Sequence, residues 1–142
     1  MGIVVRKEEI DKTLANPGAP GKHLLEPLKS FAAANKLPFN ILEDKEVSNE
    51  AEVHREEGDL WHCLEGEVEF IYGGELVEPR PKKNPDGSID KREWKAKEIR
   101  SGTKVILKPG DWLWIPAGEP HQHNKPEGHA RLVIIKIPAV AD

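Results

Sequence analysis

The sequence predicts an all-β fold, a sandwich or a small barrel, with a short helical extension at its N-terminus. From Pro38 onward, short segments rich in β-branched and aromatic residues are separated by Gly, Pro, Asn or Asp. The chain lacks the regular alternation of strands and long helices that is typical of a parallel sheet. Its 142 residues, 37% hydrophobic and 32% charged, suffice for one globular domain with its own core.

Residues 1–37 form the predicted extension. KEEIDKTLA predicts a first helix, and KHLLEPLKSFAAANK predicts a second helix that is interrupted near Pro27. The chain therefore divides into a helical or irregular extension, residues 1–37, and a β domain, residues 38–142.

Seven segments of the β domain are predicted strands, because each is short, apolar or alternating, and flanked by turn formers. The polar run RPKKNPDGSIDKR predicts a solvated loop with a hairpin turn at Pro-Asp-Gly. In chain order the strands are FNILE, AEVHRE, LWHCLEGEVEFIYGG, a piece around EWKAKEI, TKVILK, DWLWIPA and ARLVIIKIP.

Composition argues against several classes of partner. The net charge is -4, without the concentrated basic face that nucleic-acid binding requires. The sequence has no apolar run long enough for a membrane span, and MGIVVRKEEI does not resemble a secretion signal. The single cysteine, Cys63, cannot form an internal disulfide. We expect a cytoplasmic protein with no nucleic-acid or membrane partner.

The stretch EVHREEGDLWHCLEG, residues 52–66, contains candidate metal ligands. Side chains alternate along a strand, so Glu52 and His54 share one face. In the next strand Asp59 and Trp61 share a face, and His62 points the opposite way. If Asp59 points inward toward the first pair, carboxylate oxygens and an imidazole converge, as a site for Mn, Fe, Ni or Zn would require.

The stretch GDWLWIPAGEPHQH, residues 110–123, predicts a buried strand followed by a stiff turn. Trp112 and Trp114 alternate with two aliphatic residues, so both faces of this strand are apolar. Two prolines then restrict the chain and hold His121 in one place. His123 shares a face with His121.

Together these two stretches resemble the cupin superfamily. Its second motif is a glycine, five residues, Pro-x-Gly, two residues, a histidine, three residues and an asparagine. Gly110, Pro116, Gly118 and His121 match this spacing, and the asparagine is displaced by one residue, to Asn124.

The first cupin motif is degenerate in this chain. It consists of a glycine, five residues, His-x-His, three or four residues, a glutamate, six residues and a glycine. His54 and Gly66 match this spacing. Glu52 stands in place of the first histidine, Asp59 in place of the glutamate, and Glu46 in place of the leading glycine.

The resemblance covers roughly residues 40–138 and implies a jelly-roll barrel, the cupin double-stranded β-helix. It implies Glu52, His54, Asp59 and His121 as ligands of a divalent metal, with Fe(II) preferred and Mn(II), Zn(II) or Ni(II) as alternatives. Without Glu52 the set is the 2-His-1-carboxylate arrangement of non-haem iron oxygenases. With Glu52 the ion is neutralised, so anionic ligands should bind less strongly.

Four aromatic residues are candidates for a substrate pocket: Trp61, His123, Trp112 and Trp114. The alternative for the tryptophans is a place in the core, which is more typical of Trp112 and Trp114. His123 is also an alternative metal ligand. Glu52 is the candidate catalytic acid or base.

The expected function is that of a metal-dependent enzyme acting on a small polar metabolite. A dioxygenase is slightly preferred, because the smallest single-barrel cupins include ring- and diketone-cleaving oxygenases. The alternatives are a sugar or keto-acid isomerase, epimerase or lyase, and a non-catalytic barrel that binds a small ligand. The resemblance also implies a homodimer, with the N-terminal extension as a candidate contact.

Overall fold

The computed structural model describes residues 1–139; residues 140–142, the end of the predicted β domain, lie outside the described residues. The described chain is predominantly β, with two short helices near its N-terminus, which confirms the predicted fold class. In chain order the elements are α1 (Lys7–Leu14), β1 (Gly21–Leu24), α2 (Leu28–Asn35), β2 (Phe39–Ser48), β3 (Ala51–His54), β4 (Glu57–Glu65), β5 (Val68–Tyr72), β6 (Glu75–Leu76), β7 (Arg80–Lys83), β8 (Ile89–Ala96), β9 (Ile99–Arg100), β10 (Thr103–Leu107), β11 (Trp112–Ile115) and β12 (His121–Pro138).

The long strand β12 organises the sheet. It runs for 18 residues and pairs in antiparallel fashion with β2, β3, β4 and β5. A break in its register between Lys125 and His129 divides it into two differently paired halves. Around it the strands run in the order β1-β2-β12-β3-β8-β7, while β4 adds β11, and β5 adds β10. The antiparallel sheet curls into a barrel, and β6 pairs separately with β9.

The inward faces of these strands fill the barrel with one apolar cluster. Trp61 and Phe70 are its largest members, with ring centroids 5.2 Å apart in an edge-to-face arrangement. Cys63 is also buried there, and burial raises its thiol pKa, so it serves as a small core residue.

The N-terminal extension packs on the outside of its own barrel. Leu25 and Leu28 are buried against Ile41 of β2, with Phe31 packed alongside. The second helix is shorter than the sequence predicted, because residues 21–24 instead form β1, an edge strand paired with β2. The physical reason is Pro27, which cannot continue a helix in the N-terminal direction and so separates this strand from α2.

A buried ion pair fastens the extension to the sheet. Arg131 of β12 donates from Nε to Oε2 of Glu43 at 2.9 Å. Its guanidinium also donates to the carbonyl of Leu14, at 2.6 Å, and to that of Asn16. Gly18 lies so close that a Cβ there would meet Oε1 of Glu43 at 2.1 Å. Only glycine allows this approach.

The polar run at residues 80–92 is more ordered than a solvated loop. Its flanks form the antiparallel hairpin of β7 and β8, and only its middle is a turn. The turn prediction is confirmed: the amide of Gly87 donates to the carbonyl of Asn84 at 2.9 Å.

The prediction that the strand of Trp112 and Trp114 is buried is wrong. The two indoles are 58% and 48% exposed. β11 lies beside β4, and its alternation turns Leu113 and Ile115 toward the core, which leaves both tryptophans on the outer face. His62, which also points outward as predicted, stacks on Trp112 with ring centroids 3.9 Å apart.

Neither helix of the described chain has the length and apolar character of a membrane span.

Arg131→Ala should lower the free energy of unfolding by about 3 to 5 kcal/mol, because it leaves the buried carboxylate of Glu43 without its cation. Urea denaturation followed by circular dichroism measures the change. Arg92→Ala removes an exposed pair with Asp90 and is the matched control, with no expected shift in the midpoint. Equal stability of the two variants would show that the buried pair does not fasten the extension.

Candidate metal centre

Strand register brings the four predicted metal ligands together. Glu52 of β3 lies directly opposite His121 of β12, and His54 follows two residues later on the same face of β3. The Nε2 atom of His121 is 3.5 Å from Oε1 of Glu52 and 3.3 Å from Oδ2 of Asp59. The Nε2 atom of His54 is 3.4 Å and 3.7 Å from the same two oxygens.

Three of these four atoms have no hydrogen-bond partner although they are buried. They are Nε2 of His54, Nε2 of His121 and Oδ2 of Asp59. Leaving such atoms unpartnered is costly unless something bridges them. Ligands held about 2.1 Å from one divalent ion lie roughly 3.0 to 3.5 Å from each other, which is close to the distances observed. The donor set therefore fits a divalent metal.

The ligand atoms form two overlapping triads. Glu52, His54 and His121 place one ligand atom each within 4.8 Å of one another. Asp59 completes a second triad with the same two histidines, by the distances above. Glu52, which belongs to the first triad, lines a cavity and is 6% exposed. Asp59, which belongs to the second triad, is more deeply buried, at 1% exposed.

The turn before β12 fixes the orientation of both histidines. Gly118, at φ 85°, donates its amide to the carbonyl of His54 at 2.8 Å. The Nδ1 atom of His121 lies 3.1 Å from the carbonyl of Glu119. A carbonyl only accepts, so Nδ1 carries a proton, and loss of the second proton, from Nε2, would present the lone pair of that atom to the centre.

Lys136 orients the buried aspartate. It lies opposite Asp59 in the pairing of β12 with β4, and its Nζ atom donates to Oδ1 at 2.7 Å. The second oxygen, Oδ2, is left to face the two imidazoles. This division of roles is typical of a carboxylate that binds a metal and is oriented by an outer hydrogen bond.

The pKa values show how the buried charges balance. Burial raises the pKa of Glu52, but the imidazoles of His121 and His54 outweigh it and hold this pKa well below its usual value. Burial also opposes the ionisation of Asp59, whose pKa is nevertheless lowered by His121 and Lys136. For His121, burial lowers the pKa, and the two carboxylates raise it to about 9. The metal-free centre therefore holds a protonated His121 at neutral pH.

Comparison with known proteins identifies the fold of this chain. No protein-family model and no curated protein matches the chain. Among solved structures, oxalate oxidase, a protein of the cupin fold, matches with a TM-score of 0.52 and 16% identity, over 89% of this chain and 57% of that one. This chain has a cupin fold.

Two further structures match at lower TM-scores. A predicted oxalate decarboxylase from Thermotoga maritima gives 0.48 at 16% identity, over 83% of this chain and 79% of that one. Fe(II) HppE gives 0.46 at 13% identity, over 70% and 42%. The chain spans about half the length of oxalate oxidase and of HppE. At these identities the likeness shows the fold alone.

One departure from the first motif lies at a residue with a left-handed backbone. Glu46 occupies the place of the leading glycine and adopts φ 49°, in the region that glycine favours.

A cavity of about 530 Å³ lies beside the centre and has Glu52 and His54 in its lining. Trp61, one of the candidate pocket residues, is also in its lining, and it is 1% exposed. The sequence did not anticipate the lysines at the same cavity: Lys22, Lys82, Lys95 and Lys136.

The other three predicted pocket residues lie elsewhere, which corrects that assignment. Trp112 and Trp114 are on the outer face of the barrel, because their strand turns its other side inward. His123 is inside the barrel, but it lies in the core between Trp61 and Phe70, with ring centroids about 5 Å from each (5.1 and 5.2 Å). None of the three lines the cavity at the metal centre.

His123 belongs to a second buried polar group. Its Nδ1 atom is hydrogen-bonded to Asp44, and Asn49 donates to Asp44 at 3.1 Å and to the carbonyl of His123 at 2.7 Å. These bonds direct Nδ1 away from the centre and toward β2. His123 therefore contributes to the polar interior of the barrel and is not among the four converging side chains.

The sequence analysis did not identify Lys136 and Arg131 as partners of buried carboxylates, although the sequence contains an indication of this role. Both interrupt the apolar run ARLVIIKIP, and a charge inside a buried strand requires a partner. The partners, Asp59 and Glu43, are distant in sequence and close only in the folded barrel.

Metal affinity should rise with pH up to about 9, because an ion must displace the proton of His121, whose pKa is about 9. Displacement of one proton changes the apparent affinity by about tenfold per pH unit. Calorimetric titration with Zn(II) in buffers of different ionisation enthalpy measures both the affinity and the proton released.

His129→Ala, which removes a half-exposed imidazole outside the centre, should keep this pH dependence. A flat affinity between about pH 6.5 and 8 in the unmodified protein would contradict displacement of a proton from His121.

Proposed function

We propose that this cupin is a metal-dependent enzyme that acts on a small polar metabolite. His54, Asp59 and His121 hold the ion, and Glu52 is a fourth ligand or the catalytic base. The observation that best supports this function is the convergence of three buried, unpartnered ligand atoms beside a cavity lined by Glu52 and His54. Within this class we prefer a non-haem Fe(II) dioxygenase, because the three residues form a 2-His-1-carboxylate set.

Bound there, Fe(II) would supply oxygen chemistry, whereas Mn(II), Zn(II) or Ni(II) would polarise a substrate oxygen. The chain's own contribution is orientation and charge. Glu119 fixes the tautomer of His121, Lys136 holds Asp59 with one oxygen inward, and the turn at Gly118 ties both histidine segments together. Little reorganisation is then needed when a ligand enters.

Glu52 decides between the two reaction classes. Its pKa is held well below the usual value, so it is ionised and suits a base better than an acid. Its Oε1 atom faces both imidazoles. As a fourth ligand it would occupy a coordination position and neutralise the ion, which favours isomerase, epimerase or lyase chemistry with Mn(II) or Zn(II). As a free base it would leave more positions open for oxygen.

The cytoplasmic location and the homodimer stay predictions. The extension packs on its own barrel through Leu25 and Leu28, and whether it also contacts a second subunit is tested by light scattering of the full chain.

Asp59→Ala and His121→Ala should each abolish metal retention, because each removes one of the unpartnered ligand atoms. Elemental analysis of protein purified without added metal, with circular dichroism to confirm folding, measures the effect. His62→Ala is the matched control, since His62 lies on the same strand as Asp59 but points outward. Metal kept by both centre variants would show that the ligand set is wrong.

The Fe(II)-loaded protein should consume oxygen with at least one member of a panel of catechols, hydroxyanthranilates and diketones. An oxygen electrode with product analysis measures this, and His121→Ala protein in the same assay gives the background. Substrate rearrangement without oxygen uptake would favour the isomerase or lyase. Metal binding with no turnover of any kind would favour the non-catalytic barrel.

A further inference from the structure

The lysines at the cavity point to the chemical class of its ligand. We propose that the cavity binds a small organic carboxylate, whose carboxylate group is held by Lys22 and Lys95 and whose apolar body lies against Leu24 and Phe39. This inference rests on the proposed function, because the same cavity lies beside the metal centre, and it names the substrate class that the centre would act on.

The two ammonium groups already hold a carboxylate. The Nζ atom of Lys22 is 3.6 Å from Oε1 of Glu52, and the Nζ atom of Lys95 is 3.5 Å from Oε2 of the same group. One cation therefore faces each oxygen. Lys95 lies opposite Glu52 in the pairing of β3 with β8, while Lys22 comes from β1 of the extension. The arrangement is matched to a carboxylate in size and charge.

The charge of the cavity also favours an anion. Four lysines line it, and the carboxylates that line it or pair with those lysines are those of Glu52, Glu93, Asp59 and Glu57. A divalent ion would therefore raise the formal balance from about zero to about two positive charges. The lysines supply positive charge that the four ligands alone, which would neutralise the ion, do not provide.

The ammonium groups are accessible to a ligand. The side chains of Lys22 and Lys95 are each 33% exposed, in contrast to 9% for Glu52 between them. A ligand entering the cavity thus meets both cations before it reaches Glu52. Partial burial weakens competition from solvent and keeps the attraction effective.

The remaining wall is apolar. Leu24, Leu37, Phe39, Trp61 and Ile134 line the cavity, which has a volume within the range of pockets for small organic ligands. This surface favours a hydrocarbon or aromatic body over an inorganic anion or a strongly hydrated sugar.

The ion and the carboxylate should bind with positive coupling. The Oε1 atom of Glu52 faces both the imidazoles and Lys22. An ion that draws on this oxygen weakens the attraction between Glu52 and Lys22, which leaves the ammonium more available to an external carboxylate. By reciprocity, the carboxylate should strengthen binding of the ion.

Calorimetry on the full chain tests this proposal. The Zn(II)-loaded and metal-free proteins are titrated with acetate, benzoate and phenylacetate, and with phenylacetamide as a neutral analogue of the same shape. We expect phenylacetate to bind about tenfold or more tightly than phenylacetamide, more tightly than acetate, and more tightly to the Zn(II)-loaded than to the metal-free protein. Added NaCl should weaken the binding of phenylacetate and leave the binding of phenylacetamide unchanged.

Substitutions of Lys22 and Lys95 test whether these two lysines cause the preference for acid over amide. In the metal-free protein, Lys22→Gln with Lys95→Gln should reduce the preference for acid over amide to near one, and Lys22→Arg with Lys95→Arg should keep it. Lys104→Gln removes an exposed lysine paired with Glu69 outside the cavity and should change nothing. Metal content is measured in every variant, so that lost carboxylate binding is not mistaken for lost metal.

Three results would overturn the inference: no binding of any carboxylate, equal binding of acid and amide, or a preference that survives in the metal-free double glutamine variant. Tighter binding of phenyl phosphate than of phenylacetate would contradict the proposed ligand class and indicate a phosphate ester instead of a carboxylate. A protein that retains metal but ignores carboxylates refutes only this inference. A protein that takes up no metal refutes the proposed function, while the comparison of acid with amide still tests the lysines in the metal-free chain.

Discussion

Four carboxylates are buried in the barrel, on β2, β3 and β4, and each faces a basic side chain from β12. Removing the partner of a buried carboxylate typically lowers the free energy of unfolding by roughly 3 to 5 kcal/mol. The register of this one strand therefore supports both the extension and the centre. In order along the chain, Glu43, Asp44, Glu52 and Asp59 face Arg131, His123, His121 and Lys136.

The two ends of this arrangement differ in how completely the charges are satisfied. Glu43 is paired with Arg131, whose other donors bind backbone carbonyls, so that end is structural. At the other end, Asp59 keeps one oxygen without a hydrogen-bond partner, and His121 keeps one nitrogen. Together with Nε2 of His54, these open atoms face one another across a single point of the barrel, where a bridging ion could satisfy all three.

Much of the fold could be predicted because alternation and turn residues are local signals. The inward faces of Glu52, His54, Asp59 and His121 follow from strand periodicity and motif spacing. Edge strands are harder: β1 forms because β2 offers it a free edge, and Trp112 stays 58% exposed although the ring of His62 stacks on it. The lysines of the cavity were missed since their partners lie on other strands.

The extension and the barrel contribute different things to the same cavity. His54, Asp59 and His121 belong to the barrel, whereas Lys22 and Leu24 reach the cavity from β1, before the region that resembles cupins begins. The proposed ligand site thus combines Lys95 of the barrel with Lys22 of a segment that is separate from the metal centre. Substitutions in a short terminal segment can change which molecule is accepted while the centre is inherited unaltered, a route by which one scaffold diversifies in evolution.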